Sequence, residues 1–281
     1  MRGEAVATTS TTRSLDGSVM NRKRNLIPDV FRHVKKHKSG LAEGFKLVDK
    51  TKDDNFDGVP NDTESALISL ASLFPRKLFD DSLPPIVLKH QLYSIVKDKT
   101  TVDRQLNELK DRGDVRIFQF GFDMDVFGVV FTEDYKSKVL AATATKGTAA
   151  TVQKFLETVL NSCTDIGFNE DKMLKEFSFC DQEITQLVNA GLLTVRDFGC
   201  WWLAIPGAGR FVKYFVKGRK AVLGMIRKSK YNEVLQSDLE TRKVTSTVKL
   251  GIQYHVHDII GAELVKCIPT TTGTLLRLND V

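Results

Sequence analysis

The chain has 281 residues, 42% of them hydrophobic and 27% charged, which is typical of a soluble globular protein with two or three small domains. Lys and Arg number 41 against 35 acidic residues, a net charge of +6, so the placement of the cations matters more than their excess. The 4 scattered cysteines argue against a zinc site and for free thiols in a reducing compartment, and neither a membrane-spanning apolar run nor a signal peptide is visible.

Residues 1–61 predict a disordered basic arm, because Thr, Ser and Ala dominate its start and its apolar residues recur at no structural period. Two basic clusters in this arm are spaced like a two-part nuclear localisation signal. They consist of Arg22, Lys23 and Arg24, followed by Lys35, Lys36 and Lys38 with the nearby Arg32. We therefore expect import into the nucleus; a solvated flexible arm is the alternative.

Residues 62–146 predict three helices followed by a β-hairpin. Apolar residues at helical spacing indicate a helix that starts near Asp62 and that Pro75 ends. A second helix is expected over 84–95 and a third, capped by Thr100 and Thr101, up to Gly113. Residues 115–120 and 127–131 read as the two strands, joined by a polar turn at 123–125. This order is that of a winged helix, a helix-turn-helix variant.

Residues 147–206 repeat the order. Val152, Phe155, Leu156, Val159 and Leu160 indicate a first helix, and residues 169–177 a short second one. A third is expected to be capped by Asp181 and ended by Gly191, with a hairpin over 192–196 and 201–205. The string NELKDRGDVRIFQF at 107–120 parallels TQLVNAGLLTVRDF at 185–198, a helix, a glycine stop and a strand in both cases.

Residues 207–281 follow the pattern more loosely. The expected elements are a long basic helix over 209–231, a short helix over 232–241, a strand over 244–251, a helix over 257–265 and a hairpin over 266–278. The fold class predicted for the whole chain is therefore α+β. It consists of a disordered arm (1–61) and three tandem winged-helix domains (62–146, 147–206 and 207–281).

The segment from Trp201 to Asn232 contains no Asp or Glu, although it is rich in cations and contains aromatic residues typical of a folded surface. Like charges one helical turn apart repel each other, so an acid-free helix face favours an anionic ligand over an ordinary solvated face, the alternative. The DNA-contact residues predicted here are Lys213, Lys217, Arg219, Lys220, Arg227, Lys228 and Lys230, with Arg242 and Lys243 extending the patch. The residues predicted to face the core are Phe211, Phe215, Val222 and Met225.

The third helix of a winged helix commonly enters the major groove of DNA. In the first domain this helix offers Lys99 and Arg104, diluted by acidic neighbours. In the second domain it has Asp181 and Glu183 and no cation, which favours packing within the protein or a protein partner. The three domains are therefore not expected to be equivalent.

One short motif suggests a protein kinase. Asp197, Phe198 and Gly199 match the metal-binding triplet of kinases, and Gly207 to Gly209 and His255 to Asp258 are weaker matches to their glycine-rich and catalytic loops. A kinase needs its glycine loop before that triplet and a His-Arg-Asp motif between them. Here the order is reversed and His-Arg-Asp is absent, so we expect a hairpin tip, no enzyme activity, no cofactor and no metal.

Long strings of the sequence resemble one known family. They are LFPRKLFDDSLPPIVLKHQLYSIV, FTEDYKSKVL, TVQKFLETVL, LTVRDFGCWWLAIPGAGRFVKYFVKGRKAVL and YHVHDIIGAELVKCIPTTTGTLLRL. They are similar to the serine/threonine kinase 19 family of vertebrates over about residues 62–281, with the shorter match KRNLIPDVF in the arm. The arm and the loop at 143–149 depart from the family, so contacts there cannot be carried over.

The resemblance implies tandem winged-helix nuclear proteins that bind DNA in transcription-coupled nucleotide excision repair. It implies partners at stalled RNA polymerase II, namely the Cockayne syndrome proteins and the transcription and repair factor H complex. Family DNA contacts fall in the basic C-terminal region, which here carries Arg227, Lys228, Lys230, Arg242 and Lys243. The leading hypothesis is a non-catalytic protein that binds duplex DNA through phosphates, with RNA left open as a ligand. A scaffold that binds acidic protein partners is the alternative.

Overall fold

A computed structural model describes residues 62–121, 126–144, 147–243 and 246–279, so the arm 1–61 and the turn 123–125 lie outside the described residues. One arrangement occurs three times in this part of the chain. Helices precede a β-hairpin, and a short strand from between the helices pairs with the second hairpin strand. All three sheets are antiparallel, so the molecule combines helices with small antiparallel sheets, as expected for the α+β class.

The first segment forms a sheet of strand order β1-β3-β2. Its third helix begins at Lys99, because the side chain of Asp98 accepts a hydrogen bond from the Thr100 backbone amide; the predicted caps Thr100 and Thr101 are wrong. Gly113 follows this helix with φ +84°, as expected of a glycine that ends a helix. The elements are α1 (Asp62–Ser72), β1 (Val87–Leu88), α2 (Lys89–Leu92), α3 (Lys99–Asp111), β2 (Val115–Gln119) and β3 (Phe127–Phe131).

Between the first sheet and the second segment lies α4, a helix that the sequence patterns did not predict. The residue preceding the last helix of the second segment is Cys180, whose backbone amide donates to Glu183, so the predicted cap Asp181 is instead the first helical residue. Gly191 ends that helix with φ +80°. The elements are α4 (Thr132–Thr143), α5 (Ala149–Ser162), β4 (Gly167–Asn169), a π-helical turn (Lys172–Glu176), α6 (Asp181–Ala190), β5 (Leu193–Asp197) and β6 (Cys200–Leu203).

In the third segment, three predicted elements differ from the structure. The long helix ends at Arg227, because the backbone turns to an extended conformation at Ser229, with φ −78° and ψ 158°. The described part of the strand predicted over 244–251, residues 246–251, forms turns instead, and the helix predicted over 257–265 lies earlier. The elements are α7 (Gly209–Arg227), a 3₁₀ turn (Lys230–Asn232), β7 (Glu233–Leu235), α8 (Gln236–Thr241), α9 (Ile252–Gly261), β8 (Val265–Thr270) and β9 (Gly273–Leu278).

The short strands β1, β4 and β7 account for three further errors. The helices predicted over 84–95, 169–177 and 232–241 each lose residues to one of these strands. Each pairs with the last strand of its own sheet: Val87 opposes Val129, Phe168 opposes Trp201 and Val234 opposes Leu276. Hydrogen bonding to a strand that is distant in the sequence outweighs the local preference of two or three residues for a helix.

The apolar cores do not follow the segment boundaries. One cluster of buried residues extends from Phe74 through the second segment to Phe215 and Tyr254 in the third. Two smaller clusters lie within the first and the third segment. Phe211 of α7 shows the continuity, since its ring centroid lies 6.1 Å from that of Phe74 and 5.6 Å from that of Phe120. The first segment and α7 therefore share a packed interior.

Candidate nucleic-acid interface

Helix α7 has one apolar face and one basic face. Its buried residues Phe211, Phe215, Gly218, Val222 and Ile226 recur every three or four positions, as the 3.6-residue turn requires for one face. This confirms the predicted core positions of Phe211, Phe215 and Val222, whereas Met225 is partly buried at the edge of the third segment's core. The residues on the opposite side are exposed, and we call them the α7 stripe: Lys213, Lys217, Lys220 and Arg227.

The α7 stripe lacks compensating charge. None of its four residues forms an ion pair with a carboxylate in the part of the chain that the structure describes. Elsewhere, partly exposed lysines do have such partners, for example Lys138 with Asp81 at 2.9 Å and Lys154 with Glu183 at 2.9 Å. A helix face of unpaired cations attracts anions, and a polyanion can contact several of them at once.

Arg219 was predicted as a DNA contact, but it lies on the flank of α7 that packs inside the molecule. Its Nε donates to Oδ2 of Asp258 at 2.8 Å, and its guanidinium lies 4.5 Å from the ring centroid of Phe215. Asp258 is fully buried. The geometry gives Arg219 a structural role at the junction of α7 and α9.

The second basic cluster lies where α7 ends. Arg242 follows α8, and its Nη2 lies 3.5 Å from Oγ of Ser229, so the fold brings Arg242 next to the turn after α7. Lys243 is the next residue and is exposed. We call this group the turn cluster: Lys228, Lys230, Arg242 and Lys243. It continues from Arg227, so the predicted C-terminal cations form one basic surface with the α7 stripe.

Helix α9, the third helix of the last segment, packs against α2 of the first segment. A Cβ added to Gly261 would lie 1.8 Å from the carbonyl oxygen of His90, so no larger residue fits there. Nε2 of the Gln91 side chain donates to the Tyr254 carbonyl at 2.9 Å, and the Tyr254 hydroxyl donates to the Ile86 carbonyl at 2.8 Å. This face of α9 is closed to a ligand.

The centre of the α2–α9 contact is ionic. His90 Nε2 lies 2.7 Å from Oδ1 of Asp258, which also accepts from Arg219. Burial alone would raise the pKa of Asp258, but hydrogen bonds from Arg219 and His90 outweigh it and hold that pKa below its ordinary value. A charged carboxylate in this position joins α2, α7 and α9.

Helices α3 and α6 offer less positive charge than α7. Lys99 pairs with Glu263, and exposed Arg104 lies 3.9 Å from Glu108 on the same helix. On α6, Glu183 pairs with Lys154, and Asp181 is exposed. Lys99 and Arg104 of α3 therefore have nearby carboxylates, unlike the residues of the α7 stripe.

The kinase-like triplet lies at the tip of the β5–β6 hairpin. Gly199 has φ +65°, and the Phe198 side chain is 95% exposed. The Asp197 carboxylate accepts a hydrogen bond from the adjacent Phe198 amide at 2.8 Å. Among the described residues no group of three or more His, Cys, Asp and Glu side chains is arranged to hold a metal ion.

The other predicted features are placed as follows. The nuclear localisation residues, from Arg22 to Lys38, lie outside the described residues. Cys163, Cys180, Cys200 and Cys267 are free thiols. No described helix combines the length and the apolar character needed to cross a bilayer.

Tyr231 was not predicted as a surface residue, because the sequence pattern placed it in the long helix. The signal in the sequence was the following Asn232, a residue type that tolerates left-handed backbone.

Comparison with known proteins gives the family. A family model described as inactive serine-threonine protein kinase 19 matches residues 52–278. The chain belongs to this family. It is 53% identical to winged helix repair factor 1 of Homo sapiens, over 92% of this chain and 98% of the relative. The identities to the proteins of the same name from Mus musculus and Xenopus laevis are 52% and 49%, over 93% of this chain and 100% of each relative.

Membership of the inactive serine-threonine protein kinase 19 family confirms the resemblance found in the sequence strings. The family's description as inactive agrees with the reversed motif order around Asp197. The name of the relatives refers to a winged helix and to repair.

Proposed function

We propose that the chain is a non-catalytic nuclear protein that binds duplex DNA in transcription-coupled nucleotide excision repair. Residues 62–146, 147–206 and 207–281 are three tandem winged helices in this proposal. The element order supports it, because α1-β1-α2-α3-β2-β3 and α7-β7-α8-α9-β8-β9 have the same sequence of helices and strands. The second segment has this order from α5 onward, with the π-helical turn in place of the middle helix.

The observation that carries DNA binding is the unpaired basic surface formed by the α7 stripe and the turn cluster. From Lys213 to Arg227 the helix rises about 21 Å at 1.5 Å per residue. Measured along the DNA axis, where each strand has one phosphate per about 3.4 Å, this length covers about six phosphate steps. Since α9 is closed by its packing on α2, the DNA contacts lie on the first helix of the last segment rather than on its third. Such contacts favour phosphates over base edges and therefore little sequence preference.

The repair role follows from the names of the relatives together with this surface. In this proposal the DNA-bound chain positions other factors at stalled RNA polymerase II, among them the Cockayne syndrome proteins and the transcription and repair factor H complex. The basic clusters at 22–24 and 35–38 direct it to the nucleus.

A salt titration of DNA binding tests the site. We expect the double variant Arg227→Glu/Lys230→Glu to bind a duplex at least about ten-fold more weakly, and the slope of log affinity against log salt to fall by about 0.9 for each lost phosphate contact. The control is Lys175→Glu, because Lys175 is exposed on the second segment and far from α7 in sequence. Duplex DNA, single-stranded DNA and RNA are titrated in parallel.

Equal affinity of wild type and the double variant would contradict the site. No affinity of the wild type for any of the three nucleic acids at low salt would instead favour a protein-interaction scaffold.

One observation supports this second function, a scaffold that binds protein partners. Beside α6 lies a cavity of about 370 Å³ whose lining is mostly apolar and acidic and includes Ile184, Val188, Phe198, Trp201, Glu170 and Asp181. It suits a partner segment with apolar and basic side chains.

A further inference from the structure

Tyr231 is an aromatic residue that the fold leaves in solvent. Its side chain is 75% exposed, whereas Tyr135 and Tyr254 are fully buried. The only ring contact of Tyr231 within the described residues is with its neighbour Lys230, whose Nζ lies 4.9 Å from the ring centroid. Its hydroxyl has no hydrogen-bond partner in the described part of the chain. The ring therefore contributes nothing to the packed interior.

The backbone at Tyr231 is in an uncommon conformation. Tyr231 has φ +60° and ψ +20°, and the next residue, Asn232, has φ +56°. Two successive non-glycine residues in the left-handed region are disfavoured, and a bulky residue there is an outlier. The turn is short and held at both ends: α7 ends at Arg227, and Glu233 begins β7 and pairs with Arg277 of β9. The Asn232 amide also donates to the Ser229 carbonyl at 3.1 Å.

The surroundings of the ring are cationic. Two cations of the turn cluster, Lys228 and Lys230, are within three residues of Tyr231 in sequence. A third, Arg242, is brought beside the turn by its contact with Ser229. The nearest carboxylate in sequence, Glu233, is paired with Arg277. An aromatic ring that a held backbone turn presents among unpaired cations is the combination with which proteins stack a nucleobase while contacting the neighbouring phosphates. Strained backbone that surrounding elements hold in place is typical of ligand-binding positions.

We propose that Tyr231 stacks on an unpaired nucleobase, so that this surface binds DNA with a junction between duplex and single strand in preference to continuous duplex. The proposal rests on the proposed DNA binding and adds its substrate class. A base inside a continuous duplex already has neighbours on both faces, whereas an unpaired base next to a duplex has a free face for the ring. The α7 stripe then holds the duplex phosphates, and the ring contacts the first unpaired base.

The test compares one duplex with the same duplex extended by a 3′ or a 5′ single strand that carries 2-aminopurine at its first unpaired position. We expect wild type to bind one of the extended forms about ten-fold more tightly and to quench the 2-aminopurine fluorescence, as stacking on an aromatic ring does. Tyr231→Ala should lose this preference and the quenching while its duplex affinity stays within about two-fold. Tyr231→Phe should retain both, because the ring is retained.

The matched control is Phe198→Ala, since Phe198 is also an exposed aromatic residue but lies on the second segment. A wild type without preference for the extended forms, or a Tyr231→Ala variant that keeps preference and quenching, would overturn the stacking proposal while leaving duplex binding intact. Weaker binding of Tyr231→Ala to duplex and extended DNA alike would also overturn it. Failure of the wild type to bind any DNA would overturn the proposed function itself, and circular dichroism of each variant confirms folding.

Discussion

Adjacent cations on α7 have different roles because successive residues of a helix point about 100° apart. Arg219 reaches inward to the buried carboxylate of Asp258, and Lys220 points to solvent on the α7 stripe. Both belong to the same acid-free segment, and their residue types alone do not separate them. At the scale of the residue, burial decides whether a cation stabilises the fold or remains available to a ligand.

The ion pair at Asp258 predicts a pH-dependent stability. Asp258→Asn leaves Arg219 and His90 without their charged partner, so we expect the free energy of unfolding at pH 7 to fall by about 3 kcal/mol. The folded-state pKa of Asp258 is lowered, so its contribution is present above the ordinary value of about 3.9 and is lost as the pH falls below it.

The difference between wild type and Asp258→Asn should therefore shrink when urea denaturation is repeated at decreasing pH below about 4. Asp238→Asn is the control, because Asp238 is exposed on α8 and has no ion pair within the described chain. A difference that stays constant down to pH 2 would show that the carboxylate charge does not stabilise the contact.

Helix α5 is joined to the first sheet by one buried arginine. Arg116 of β2 is 4% exposed, and its guanidinium donates to the carbonyl of Cys163 at 2.6 Å and to that of Leu160. These carbonyls belong to the C-terminal end of α5, where backbone oxygens lack helical partners. Burial lowers the pKa of Arg116, so the hydrogen bonds have to offset the cost of removing a charge from water. At the scale of the element, one side chain adds hydrogen bonds between two segments that also share an apolar core.

We expect Arg116→Met to lower the free energy of unfolding by about 2–3 kcal/mol, since it leaves two buried carbonyls without a donor. The control is Arg112→Met, because Arg112 is exposed and pairs with Asp114 at the surface, where an ion pair contributes less than about 1 kcal/mol. Chemical denaturation monitored by circular dichroism measures both variants. Equal effects would mean that the link between β2 and α5 does not stabilise the fold.

At the scale of the whole molecule, the three segments are joined by a common interior. Phe211 of α7 is fully buried among aromatic residues of the first segment and near Tyr254 of α9. A residue in such a position affects the stability of more than one segment. The chain should therefore unfold as one cooperative unit over the described residues, rather than as three independent domains.

Phe211→Ala tests this continuity. Removing the ring should cost about 3–5 kcal/mol and lower the midpoint of a single thermal transition by about 10 °C or more. Val216→Ala is the control on the same helix, because Val216 is 45% exposed. Calorimetry that resolves separate transitions, of which the substitution moves only one, would contradict a shared core.

Local patterns predicted much of the fold. The helices α1, α3, α5 and α6 and the hairpins of all three sheets were found because their apolar periodicity and glycine stops are encoded within a few residues. The acid-free segment before Asn232 likewise indicated a basic surface. The strands β1, β4 and β7 were missed, because each is two or three residues long and pairs with a strand distant in the sequence. The boundaries of the three predicted domains remain a prediction.

The α+β class, the family resemblance and the concentration of positive charge in the last third of the chain could all be read from the amino-acid sequence. Which cations are available to a ligand depends on packing: the fold pairs Arg219 with Asp258, closes α9 against α2 and brings Arg242 beside Ser229. It also exposes Tyr231 at a left-handed turn. The reason is physical. Periodicity and composition are local properties, whereas burial, ion pairing and the meeting of distant residues depend on how the elements pack.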